Sequence, residues 1–107
     1  MCAGARWFAI AGLLVATAGA RGGERSDAEL AYFVRHDCGS CHGMRLTGGL
    51  GPALTPEALA DKPVGWVRTV ILHGVPGTAM PGWRGVMTED EAGRMAVQLK
   101  EQIHENR

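Results

Sequence analysis

Cys38-Gly39-Ser40-Cys41-His42 is the stretch that decides how this 107-residue chain folds. It sets two thiols two residues apart, with an imidazole directly after the second. Three chemistries use such cysteine pairs. A redox dithiol belongs at the end of a strand in a βαβ unit, and strand-forming runs of Val, Ile and Thr are scarce here. A zinc site needs a second Cys or His pair at matching spacing, and none follows. The third chemistry uses all five residues. Each thiol adds to one vinyl group of a porphyrin, the two intervening residues supply the reach and bend, and the next histidine is held under the iron. The motif therefore points to one covalent haem c, attached through Cys38 and Cys41 with His42 as a metal ligand.

Upstream, Ser26-Asp27-Ala28-Glu29 fits a capping box, in which serine caps the free N–H of Glu29 and the glutamate returns the bond. Leu30, Phe33 and Val34 stand at i, i+3 and i+4, one apolar helical face. This helix is expected to end near Asp37, where the Cys-Gly-Ser-Cys turn begins. Arg21 to Arg25, Gly-rich and charged, reads as a loose tail.

Downstream, residues 43–54 (GMRLTGGLGPAL) contain too many breakers for a helix and read as a loop. Thr55-Pro56-Glu57 resembles an N-cap followed by Pro at the first helical position, which predicts a short helix near 56–60. Asp61-Lys62-Pro63 repeats the signal before a helix over about 64–73, stopped by Gly74 in a left-handed conformation. Residues 74–87 (GVPGTAMPGWRGVM) form a second long loop. Thr88-Glu89-Asp90-Glu91 is another capping box and opens the last helix, with Ala92, Met95, Ala96, Leu99 and Ile103 on one face. The fold class is thus all-α, about four helices with two long Gly/Pro loops. Loops of that length are usually functional. A chain this short with such loops has little apolar side-chain area to bury and needs a staple. A flat apolar cofactor between the loops would complete the core.

Met80, 38 residues after His42 in Gly77-Thr78-Ala79-Met80-Pro81, is the candidate for the iron's other axial position. Its thioether is a soft neutral ligand suited to ferrous iron, and Pro81 stiffens its loop. Met87 and Met95 sit where packing residues belong, and Met44 is too close to His42 to reach the opposite face. His73 reads as a helix-terminal histidine facing free carbonyls and the helix dipole, with iron ligation as its alternative. His36 and His104 read as solvent-exposed helix residues. Trp66 and Trp83 each offer a ring and an indole N–H. Either can wall the pocket and bond a propionate, and core packing explains each equally well.

The first 20 residues read as a signal peptide: Arg6, an uncharged stretch from Trp7 to Ala20, and Ala18-Gly19-Ala20 as cleavage site. The stretch has 14 residues, against roughly 20 needed to span a bilayer. Cys2 precedes it and leaves with it. Removing 20 of the 107 residues leaves 87, one domain over 21–107. Basic and acidic residues balance at 11 each, which gives no footprint for nucleic acid or a polybasic membrane contact. The expectation is a periplasmic monomer with no membrane attachment after cleavage.

The order of helix, CGSCH, Gly51-Pro52 loop, middle helices, Met80-Pro81 and terminal helix resembles the class I cytochromes c, over nearly all of residues 21–107. That resemblance implies that the carbonyl of Pro52 accepts the bond from the other nitrogen of His42. It also implies that the first and last helices pack across each other. The runs CGSCHGMRLTGGLGPALTPEAL and ILHGVPGTAMPGW look like the NirC group, small periplasmic cytochromes encoded beside the haem-c, haem-d nitrite reductase of denitrifying bacteria. The implied role is one-electron carriage to redox protein partners, with nitrite reductase foremost. Participation in making the d-type haem is the alternative, and a haem sensor with exchanging ligands is a third reading. With His42 and Met80 filling both axial sites, the protein is not expected to be an enzyme.

Overall fold

The computed structural model describes Gly12 and residues 24–102. The rest of the expected signal peptide, residues 21–23, Ile103 and His104 lie outside what is described. Helix α1 spans Asp27–Phe33, a wide π turn covers Val34–Cys38, and α2 spans Gly39–His42. Helix α3 spans Val64–His73 and α4 spans Glu89–Glu101. Among the described residues there is no strand, and no helix is long and apolar enough to cross a membrane.

Local sequence explains the starts. Both capping boxes form: Ser26 with Glu29, and Thr88 with Glu91. α3 begins directly after Pro63 and runs over the expected residues. Two expectations fail. The first helix does not end near Asp37. It passes through the cysteines to His42, because the turn widens: the N–H of Gly39 bonds the carbonyl of Val34. A one-residue insertion of this kind changes which face the following residues present. Leu30 and Val34 are fully buried in the core, while Cys38 and His42 line a cavity. The second failure is the helix near 56–60, which is a set of turns. Thr55 does cap there, accepting from the N–H of Ala58 at 3.2 Å. Leu59 N–H reaches the carbonyl of Thr55 and Lys62 N–H that of Leu59. With Pro56 at its start and Pro63 at its end, the segment is too short to propagate a helix.

The core joins α1, α3 and α4: Leu30 and Val34 meet Val67, Ile71 and Leu72, together with Ala92, Met95, Ala96 and Leu99. α1 and α4 pack together, so the first and last helices do meet. Arg25 is anchored at this junction rather than loose. Its N–H donates to Glu91 Oε2 at 2.9 Å, and its guanidinium donates to the same oxygen at 3.2 Å and to the carbonyl of Val86 at 3.0 Å. Glu91 is almost fully buried. Burial alone would raise its pKa, but bonds from the N–H of Thr88 and from Arg25 win and hold the carboxyl below its usual range.

Both long loops close on helix ends. Gly48 N–H and Gly51 N–H donate to the carbonyls of His42 and Cys41 at 2.9 and 2.8 Å, satisfying groups that α2 leaves open. Trp83 N–H and Arg84 N–H do the same for Ile71 and Leu72 of α3, at 2.9 and 3.1 Å. Gly74 ends α3 at φ 67°, ψ −168°. Its φ is positive as expected, but the conformation is more extended than a left-handed cap. A Cβ there would lie 2.5 Å from the carbonyl oxygen of Met80, so only glycine lets the Met80 loop lie against the helix end.

Candidate haem site

A cavity of about 660 Å³ lies between the loops and the core, within the range that holds small-molecule cofactors. Cys38, Cys41, His42, Pro52 and Met80 all line it. Its walls are otherwise mainly apolar: Leu50, Leu54, Leu59, Val67, Val70, Ile71 and Leu99, with Trp66 and Trp83. A more open concavity of about 540 Å³ between α3 and α4 holds no cysteine, histidine or methionine, and lacks the ligand chemistry.

His42 is buried, and its Nδ1 lies 2.6 Å from the carbonyl oxygen of Pro52. A carbonyl only accepts, so Nδ1 carries the proton and Nε2 keeps its lone pair for a metal. Gly51 sits against the ring: a Cβ there would lie 2.6 Å from Cε1 and 2.7 Å from Nδ1. Met80 is held in its loop by Thr78, whose hydroxyl bonds the carbonyl of Val75 at 2.7 Å and receives the N–H of Met80 at 3.3 Å. Cys38 and Cys41 carry no disulfide. Burial, aided by the charge of Asp37, pushes the Cys38 thiol up to about 12. The backbone around the pair is helical, and among the described residues no strand precedes it, as the strand of a βαβ unit would for a thioredoxin-like redox pair.

The comparisons with known proteins agree with this geometry. The family profile described as cytochrome c oxidase, cbb3-type, subunit III matches residues 25–97. Cytochrome c55X of Paracoccus denitrificans (strain Pd 1222) is 57% identical over 84 residues, which cover 78% of this chain and 81% of the relative. The chain belongs to the c-type cytochrome family. Among solved structures, the c-type cytochrome NirC superposes with a TM-score of 0.70 at 51% identity, covering 72% of this chain and 91% of that chain. The dihydro-heme d1 dehydrogenase NirN, solved in complex with DHE, superposes with a TM-score of 0.60 at 37% identity. That match covers 70% of this chain and 16% of that one. This cytochrome is therefore an electron carrier related to NirC, with one covalently bound haem c.

The residues present fit that cofactor. Two thiols, an oriented imidazole and a thioether share one apolar cavity, and Gly51 leaves the ring its room. When bound, haem c supplies an iron that takes up and releases one electron at a time. His73 is exposed and does not line the cavity. His36 is exposed and packs on Tyr32 at 4.0 Å between ring centroids. Met87 and Met95 are buried in the core and Met44 is exposed. Trp83 packs edge-on against Phe33 at 5.1 Å and also lines the cavity, while Trp66 is half exposed at its wall.

Lys62, Leu59 and Leu99, which no motif in the sequence marks as site residues, also line the cavity. Leu99 carried only the periodicity of a core residue. Lys62 stood out only as part of a helix-start signal. Neither pattern distinguishes a side chain facing protein from one facing a cofactor.

Proposed function

We propose that this cytochrome is exported, losing residues 1–20 as a signal peptide, and works in the periplasm as a monomeric one-electron donor to a haem-c/haem-d nitrite reductase in denitrification. Cys38 and Cys41 anchor the cofactor so that it is not lost outside the cytoplasm. His42 and Met80 would be the residues that hold the iron, with the imidazole oriented by Pro52 and given room by Gly51. The observation that carries this reading is the convergence of Cys38, Cys41, His42 and Met80 on one cavity. The likeness to NirC supports the choice of partner.

Rapid mixing of the reduced cytochrome with purified oxidised reductase tests the partner. Oxidation of the cytochrome at a rate rising with reductase concentration is expected, and no oxidation by an active reductase overturns the donor role. Carbon monoxide tests Met80: slow, weak binding to the reduced protein is expected, and rapid, tight binding removes Met80 from the iron. A second reading, participation in making the d-type haem, draws on the likeness to NirN, whose structure holds DHE. A deletion strain whose reductase carries an altered d-type haem would favour it over the donor role.

A further inference from the structure

The charge on the cavity wall is unevenly placed. Besides His42, the charged or titratable side chains lining it, apart from the cysteines, are Asp37 and Lys62. Asp37 adjoins Cys38, at the edge where the thioethers form. Lys62 comes from the turn before α3, beside Trp66. Porphyrins of this class are chemically lopsided as well. Their vinyl groups are consumed by the two cysteines, and two propionate carboxylates remain. A carboxylate enclosed without a partner is strongly disfavoured, and one placed near Asp37 meets a like charge. The one lysine on the wall is the group that removes both penalties.

Lys62 is built for this. Its carbonyl receives the Lys100 ammonium of α4, which also bonds the carbonyl of Leu59 at 2.7 Å. Its N–H donates to Leu59 at 3.0 Å. The backbone is thus pinned from two directions, whatever side chain it carries. The Lys62 ammonium lies 5.1 Å from the centroid of the Trp66 ring, a cation–π contact that holds it at the wall. Its other neighbour, Asp61, is 3.5 Å away and mostly exposed. That is beyond good hydrogen-bond length, so three ammonium N–H bonds are available for a stronger acceptor. An exposed ion pair of this kind contributes little and is readily exchanged.

We propose that Lys62 is the cationic partner of the haem propionates, and that its charge, held by Trp66 and by the Lys100-pinned turn, raises the electron affinity of the iron. Reduction adds one negative charge to the site, and a fixed positive charge nearby favours it.

The test is the midpoint potential of the purified holoprotein with Lys62→Gln, Lys62→Met and Lys62→Arg. Gln and Met should each lower the electron affinity about threefold to tenfold, a fall of about 28–59 mV at 59 mV per decade for one electron. Arg should stay near wild type, since it keeps the charge. Met also keeps an apolar stem, so a purely packing role would leave Lys62→Met unchanged. Arg84→Gln removes an exposed cation paired with Glu89 away from the cavity wall, and should leave the potential unmoved. Wild-type potentials in both neutral variants, or an equal fall in Lys62→Arg, would overturn the proposal.

Discussion

Gly51→Ala is the sharpest test of how the proximal side is built. Gly51 is not among the glycines with positive φ, so the strain of the substitution comes from the added methyl group. That methyl would sit 2.6 Å from His42 Cε1 and 2.7 Å from Nδ1, where ordinary contact needs about 3.5 Å or more. Something must move by nearly 1 Å. The backbone resists, because Gly51 N–H is bound to Cys41 at 2.8 Å and its carbonyl receives Gly49 N–H at 3.0 Å. The imidazole therefore gives way, and its 2.6 Å bond to Pro52 breaks. Overpacking costs about 1–3 kcal/mol and the lost bond about 1 more, so the expected destabilisation is about 3 kcal/mol. For a domain of this size that lowers the thermal midpoint by roughly 12–24 °C. Thermal unfolding of the holoprotein, with its visible spectrum recorded alongside, reads both the stability and the iron environment. Gly65→Ala is the control: it lies in α3 with nothing within 4 Å of the new methyl, and should stabilise by about 0.5–1 kcal/mol. If Gly51→Ala melts and absorbs like wild type, the claim that His42 is wedged by this contact is wrong.

Other outcomes follow from the same contacts. The carboxyl of Glu91 is held below its usual range, so its contribution is full above ordinary carboxylate pKa values and is lost as pH falls through the lowered one. Glu91→Gln should flatten the acid limb of stability against pH, measured by denaturant unfolding between pH 7 and roughly pH 3; an unchanged limb would show that the carboxylate is not responsible. Gly74→Ala should cost about 1–3 kcal/mol for its positive φ and push against Met80 O, so carbon monoxide should bind the reduced variant faster than wild type. Met95→Ala, at a fully buried core position, should destabilise by about 2–5 kcal/mol in the same unfolding assay, with little change in the visible spectrum.

The parts of the fold governed by neighbours in sequence are legible in the chain alone. Ser26 with Glu29 and Thr88 with Glu91 cap helices because the partners are three residues apart. Pro63 and Gly74 bracket α3 because each restricts its own backbone. The attachment motif is legible for the same reason: five consecutive residues carry its chemistry. Local reasoning went astray where the outcome depended on distant atoms. Asp37 looked like a helix end, yet the chain gains more by continuing through a widened turn that buries Val34 and turns Cys38 to the cavity. Arg25 looked like tail, because Glu91 and Val86, its partners, lie more than 60 residues away.

The sequence by itself determined where α1, α3 and α4 begin, the two loops and the covalent chemistry of the cofactor, since those follow from short-range spacing, caps and the reactivity of adjacent side chains. Tertiary structure alone decided which side chains share a cavity. It brought Met80 to the wall that holds His42, set the Pro52 carbonyl on Nδ1, and turned Lys62 toward the same space. The physical reason is that each of these depends on where packing of α1, α3 and α4 leaves room, and no run of neighbouring residues encodes a distance across that space.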